Sequence, residues 1–112
     1  MEYGTLDQKK RLYNAMNGGA DKLSAHIGER LTVTMYAFQP ITVVNDGESV
    51  EGERLYLLTD DGKAYHSMAN GILRSWNSIL SIFGEPGEEG ITVIPRSVEI
   101  SGGRRTYVLD VE

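Results

Sequence analysis

The stretch from Leu55 to Phe83, LYLLTDDGKAYHSMANGILRSWNSILSIF, constrains the fold of this chain more than any other. Arg54 to Thr59 reads as a strand. Asp60-Asp61-Gly62 reads as a hairpin turn, because glycine tolerates the positive φ such a turn needs. Lys63 to His66 then reads as the returning strand. Asn70 suits a helix N-cap. Beyond it, Ile72, Trp76, Ile79 and Phe83 recur at helical spacing, with Leu73 and Leu80 beside them. Gly84 supplies a C-terminal stop and Pro86 prevents continuation. A hairpin that runs into one amphipathic helix is compatible with few small architectures.

The flanks narrow them further. From Arg30 to Val44, Leu31, Val33, Met35 and Ala37 alternate with Thr32, Thr34, Tyr36 and Phe38, as in a half-buried strand. Pro40 predicts a bulge or an edge position. Asn45 to Gly52 is acidic and turn-rich and predicts a mobile loop. After the helix, Glu85 to Gly90 reads as an acidic loop. Ile91 to Ile100 reads as a strand interrupted near Pro95, and Ser101-Gly102-Gly103 turns into a last strand, Arg104 to Val111. Before the first strand, a short helix led by Asp7 stops at Gly18-Gly19. Ala20 to Ile27 then predicts one or two further turns ending at Gly28.

The order is β-β-β-α-β-β behind a short helical N-terminal segment. A mainly β, five-stranded barrel of the OB type, with its helix between strands three and four, fits this order. The expected division is an N-terminal segment over residues 1–29 and a barrel over 30–112, one domain in all. In this arrangement Ile72, Trp76, Ile79 and Phe83 plug one end of the barrel. The competing layout is an α+β sheet with the helix packed across one face. OB-type barrels bind oligonucleotides on an open face.

At 112 residues a single core is feasible without covalent staples. The absence of cysteine excludes disulfides, a thiolate nucleophile and a cysteine metal cluster, and fits a reducing compartment. Residues 1–15 lack the apolar run of a secretory leader, and no run approaches a membrane span, so the expectation is a soluble, cytoplasmic protein. The net charge of −5 counts against coating of duplex DNA through bulk positive charge. It leaves room for a single-strand binder, where stacking and a local basic groove suffice. His26 and His66 lack metal-ligand spacing. No nucleophile-elbow, P-loop or zinc-protease motif is present. No catalytic residue, metal or cofactor is expected, and an enzyme ranks last among the readings.

The aromatic side chains carry more information. Trp76 and Phe83 lie on the helix stripe and read as core. Tyr36 and Phe38 share parity with Thr32 and Thr34, opposite Leu31, Val33 and Met35. If the latter fill the barrel, Tyr36 and Phe38 face outward as a platform for unstacked bases; the other reading is cross-strand packing beneath the N-terminal helices. Tyr65 stands two residues after Lys63, a spacing that suits a base and a phosphate, or a tyrosine bracing the sheet. Tyr56 lies between two leucines with its face undecided, and Tyr107 shares parity with Leu109 and Val111 and reads as core. Arg104 and Arg105 mark the tip of the last hairpin, with Arg54 and Lys63 on earlier strands. The four line one groove, or the double arginine is only a solvated tip.

Taken together, RLYNAMNGG at residues 11–19, YAFQPITV at 36–43, TDDGKAYHSMAN at 59–70, IFGEP ending at Pro86 and SGGRRTYVLDV at 101–111 keep a familiar order. The chain resembles the single-stranded DNA-binding proteins of small protein-primed phages of Gram-positive bacteria. The resemblance covers nearly the whole chain through loose patterns, of which the short DG-x-x-Y hairpin is the most specific. It implies an OB-fold protein that coats single-stranded DNA during phage replication in the host cytoplasm, without sequence preference or cofactor. It also implies that tyrosines on the barrel stack on bases. Tyr65 holds the matching DG-x-x-Y position, and Phe38 approximates a first-strand tyrosine. The family's third tyrosine, in the loop after the first strand, has no counterpart here, where Asn45-Asp46-Gly47 stands instead. The chain also lacks the long acidic tail of cellular single-strand binders.

The expected DNA-binding residues are therefore Tyr65, Phe38, Tyr36, Lys63, Arg54, Arg104 and Arg105. The expected partners are single-stranded DNA, replication proteins and further copies of the chain, with no membrane. The alternative function is an OB-like protein-interaction module, a phage regulator that turns the same aromatic face toward a host protein. The acidic charge favours it slightly, whereas the placement of Lys63 with Tyr65 and of Arg104 with Arg105 favours single-stranded DNA, the first reading.

Overall fold

One extra residue in the first long strand decides which side chains share the interior. The computed structural model describes residues 4–112; Met1 to Tyr3 of the expected N-terminal segment lie outside the described residues. Helix α1 (Leu6–Asn14) is followed by a wide turn over Ala15–Gly19, strand β1 (Asp21–Lys22) and a 3-10 turn over Leu23–His26. Then come β2 (Leu31–Asn45), β3 (Glu48–Thr59), β4 (Ala64–Ser67), α2 (Asn70–Phe83), β5 (Ile91–Glu99) and β6 (Arg105–Val111). The strands form one curled sheet in the order β1-β4-β3-β2-β5-β6, an open half-barrel of the OB-like, mainly β kind.

Across the β2–β3 ladder, Val33 faces Thr59 and Met35 faces Leu58. Two residues of β2 are crossed by one step of β3, so Thr34 is a bulge and parity inverts there. Leu31 and Val33 therefore point to the same side as Tyr36 and Phe38, and Met35 points to the other. This corrects the simple alternation: Tyr36, expected to share an outward face with Phe38, is 6% exposed in the main core.

The inner, concave face collects Leu31, Val33, Tyr36, Leu55, Leu57, Tyr65, Val93 and Leu109 around Ile72, Trp76 and Ile79 of α2. Leu73 and Leu80 flank this stripe, half-buried against the same core. Phe83, the fourth residue expected on the stripe and the last of the helix, is instead 58% exposed. The helix begins at Asn70 with Ala69 as N-cap and no side-chain cap bond, so Asn70 does not cap it. Gly84 ends it, with its N–H donated to the Leu80 carbonyl.

The outer, convex face carries Met35, Tyr56 and Leu58, covered by Ala15 and by the half-buried Leu12, Met16 and Ala20. Helix α1 starts with a capping box between Thr5 and Gln8, so Thr5 is the N-cap and Asp7 lies in the first turn. No residue of α1 is itself buried.

Two more expectations fall. Asn45 to Gly52 is no mobile loop: β2 and β3 stay paired to Asn45 and Glu48, joined by Asp46 (φ 51°) and Gly47 (φ 80°). Two consecutive residues with positive φ make the tight hairpin turn whose twist matches the strands. Nor does Pro95 interrupt β5. It pairs with Leu109 while its carbonyl accepts from Gly28 N–H at 2.8 Å, so its missing donor faces a side where β2 no longer runs.

The open side is closed by α2. Its N-terminal turn lies on the free edge of β6, where Leu109 N–H donates to Ser75 Oγ at 3.2 Å. A Cβ on Gly71 would sit 2.1 Å from the Tyr107 carbonyl oxygen, so only glycine allows the helix this close to the strand. No helix among the described residues is long and apolar enough to cross a membrane.

Candidate nucleic-acid interface

Arg54 is the centre of the most suitable surface. The β2–β3 register puts it opposite Gln39 on the outer face, one step beyond the last β3–β4 pair, Leu55 with Ser67. Its guanidinium lies 3.4 Å from Tyr56 Oη and 3.7 Å from Met68 Sδ. Its Nε is buried with no hydrogen-bond partner. Tyr56 Oη in turn donates to Gln39 Oε1 at 2.9 Å. Arg54 makes no ion pair among the described residues.

His66 lies beside it, its ring 6.3 Å from that of Tyr56. Partial burial pushes the imidazole pKa below its ordinary value, and the positive charges of Arg54 and Lys22 push it further the same way, against a smaller opposing effect of Asp21. Arg54 and Lys22 thus set two positive charges close enough to His66 to act on its ring.

Arg104 and Arg105 are exposed at the β5–β6 tip, where Arg105 Nε donates to Ser97 Oγ at 2.9 Å. Thr106, the next residue, touches Gly71 at the start of α2, and Met68 on the other side of that start touches Arg54. Arg54 therefore borders residue 68, while Arg104 and Arg105 come just before, in the chain, the residue that meets Gly71. Lys63 does not join them. Its carbonyl accepts from Thr59 N–H at the far end of the β3–β4 hairpin, five residues along β3 from Arg54, or about 17 Å at strand spacing. There it sits beside Asp61, whose carboxyl is held below its usual range by the Thr59 hydroxyl.

The rings are placed differently from the cations. Tyr65, opposite Leu57, points inward and is 2% exposed. The N-terminal segment covers it: His26 packs edge-on at 4.8 Å, and Leu23 belongs to the same core. His26 is held in turn between Asp21 (3.1 Å) and Glu29 (2.8 Å). Burial pushes the Tyr65 phenol pKa upward. The expected exposed Tyr65 ring is thus corrected, because its place opposite Leu57 turns it to the concave face, where Leu23 and His26 cover it. Tyr36 is edge-on to Trp76 at 5.4 Å and to Phe38 at 5.9 Å, and its hydroxyl donates to Glu85. Phe38 remains half-buried, as does Tyr107, the residue expected to be core on the last strand. Tyr56, undecided from the sequence, lies on the outer face beneath the N-terminal cover.

Reasoning from sequence missed Lys22 and His66. Parity alone would have placed His66 on the face opposite Tyr65, but nothing local announces that Lys22 reaches the edge of β4. Among the described residues no cluster of three or more His, Cys, Asp or Glu side chains could hold a metal.

A family model described as Phage Single-stranded DNA-binding protein matches residues 1–112. No curated protein and no solved structure matches the chain.

Proposed function

The chain belongs to the phage single-stranded DNA-binding protein family, and from that premise we propose that it coats single-stranded DNA without sequence preference, gripping phosphates at the α2 end of the half-barrel. Arg54, with Lys22 and His66, takes phosphates on the outer face, and Arg104 and Arg105 take them at the hairpin tip. Phe38 offers the stacking surface, while Tyr36 and Tyr65 brace the sheet that carries it. Lys63 acts separately, as a distant contact for a longer strand. The work takes place in the host cytoplasm, during replication.

The observation that carries this reading is that the Arg54 guanidinium makes no ion pair among the described residues and meets only neutral groups, the Tyr56 hydroxyl and the Met68 sulfur. A guanidinium held only by neutral partners at long distances keeps most of its bonding capacity, and a phosphate oxygen would use it in a charge-assisted bond. The fit to single strands is supported by the small cationic area on a chain of net charge −5, which favours a short contact over the long phosphate track of a duplex.

The test is fluorescence anisotropy of labelled oligo-dT at low salt. Arg54→Ala should weaken binding about ten-fold or more, as for loss of a charge-assisted hydrogen bond. The pair Arg104→Ala with Arg105→Ala should flatten the salt dependence, whose log–log slope is about −0.7 per phosphate neutralised on a single strand. Unlabelled poly-dT should compete and a duplex of equal length should not. Absence of oligo-dT binding at low salt would overturn the reading and move the protein-interaction module into its place.

A further inference from the structure

The outer half of the β2–β3 hairpin does not belong to the half-barrel. From Pro40 paired with Glu53 to Asn45 paired with Glu48, the two strands run on without a third strand on either side among the described residues. Six residues at strand spacing make an arm about 20 Å long. Val43 and Val50 are cross-strand partners on one face and are 42% and 53% exposed; Val44 on the other face is 70% exposed. Bare strand edges with exposed β-branched side chains invite a further protein surface. The arm is also strongly acidic. Asp46, Glu48, Glu51 and Glu53 lie on it, and no lysine or arginine occurs between Leu31 and Glu53.

A second uncovered apolar feature lies elsewhere. Between α2 and β6 runs a groove lined from Asn70 and Arg74 to Ile82 and Phe83 on the helix side, with Ile100 and Val111 opposite. Ile82 is 75% exposed. Arg74 is the one charged residue in the groove lining. It makes no ion pair among the described residues.

We propose that the arm of one copy docks in the α2–β6 groove of a second copy, the Val43–Val50 face against Ile82 and Phe83 and the arm's carboxylates toward Arg74. Charge selects this pairing over the alternatives. Two arms side by side would set four carboxylates against four, whereas the groove offers an apolar wall and a free cation. Because arm and groove are different surfaces, the contact is head-to-tail, and unless a rotation closes it the copies extend into a line. Such a line suits successive copies on one strand and would make coating cooperative. That last step rests on the single-stranded DNA reading, while the contact itself does not.

The experiment is sedimentation velocity on the full chain without DNA, at the highest soluble concentration, for the wild type and two surface variants. Val50→Asp spoils the arm and leaves the groove; Phe83→Glu spoils the groove and leaves the arm. Both positions are exposed, and circular dichroism confirms that each variant folds. The wild type should grow in size with concentration. Each variant alone should be monomeric, its self-association weakened at least about ten-fold. Their equimolar mixture should form a dimer and nothing larger, because one intact arm then meets one intact groove.

A wild type that stays monomeric, a variant that still self-associates, or a mixture that fails to dimerise overturns the proposal. A monomeric wild type that binds oligo-dT normally removes the contact alone. A self-associating wild type that ignores oligo-dT removes the DNA reading alone.

Discussion

The two faces of the same sheet are built on opposite terms. The inner face buries Trp76 completely, with Tyr36, Tyr65 and a ring of leucines and valines from every long strand. The outer face holds three large side chains, Met35, Tyr56 and Leu58, beneath a helix that buries none of its own residues. Backbone pairing is shared by both faces, so it cannot account for the difference. What differs is the cover: α2 is an amphipathic helix cut to the concave side, whereas α1 rests on a convex one. Hydrophobic stabilisation scales with the area removed from water. The inner face thus sets the fold, and the outer face is where polar groups such as Arg54 and His66 can remain reachable.

The contrast can be broken most directly at Trp76. Trp76→Ala should cost about 3–5 kcal/mol in urea unfolding, the usual penalty for a large buried ring. A loss below about 1 kcal/mol would mean that the concave face is not the core. Tyr65→Ala should follow at about 3 kcal/mol, while Tyr65→Phe should stay under about 1 kcal/mol, since it keeps the buried ring and removes one hydroxyl. If the folded Tyr65→Ala protein instead lost oligo-dT affinity at full stability, Tyr65 would be a stacking residue after all.

The outer face should respond more gently. Arg11 is its main polar tie, donating from Nη2 to the Thr59 carbonyl at 2.8 Å and lying 3.8 Å from Met35 Sδ. Arg11→Ala should cost about 1–2 kcal/mol, with faster amide exchange confined to α1. Uniform acceleration across all strands would show that the two faces unfold as one.

The smallest expected effect is that of pH. Because the folded His66 pKa is depressed, the stability tied to its neutral form is complete above the ordinary value of 6.5 and is lost as pH falls through the folded value. A bound phosphate favours the protonated ring, so oligo-dT affinity should rise a few-fold over the same window. His66→Asn should abolish that rise; an unchanged pH profile in the variant would separate His66 from the interface.

How much of this was legible in the residues depends on the range of the interactions. The α2 stripe could be read because its four positions obey a local period, three of them buried, and the Asp-Asp-Gly turn because it is chemistry within four residues. The Tyr36 side was misread because a single bulged residue, Thr34, inverts everything after it, and nothing in Thr-Val-Thr-Met marks the bulge. Asn45-Asp46-Gly47 was read as a loop because its acidic surroundings outweighed a turn signal that is present. Arg54 could be nominated by charge, but Lys22 and His66 join it only through the pairing of β1 with β4. That long-range event leaves no periodicity.

The ladder between β2 and β5 has three pairs, Leu31 with Val93, Thr32 with Thr92 and Val33 with Ile91. Its strands are separated by about sixty residues, yet among the described residues it is the one ladder joining the β2–β4 meander to the β5–β6 hairpin. Each of those halves can assemble from neighbours in the chain. Their union cannot, and its entropy must be lost before the three pairs and the Trp76 core return any of it. Refolding should therefore be limited by this encounter and proceed on the millisecond-to-second scale of non-local β structures. Until the halves meet, a nascent copy shows its apolar faces to every other copy being made.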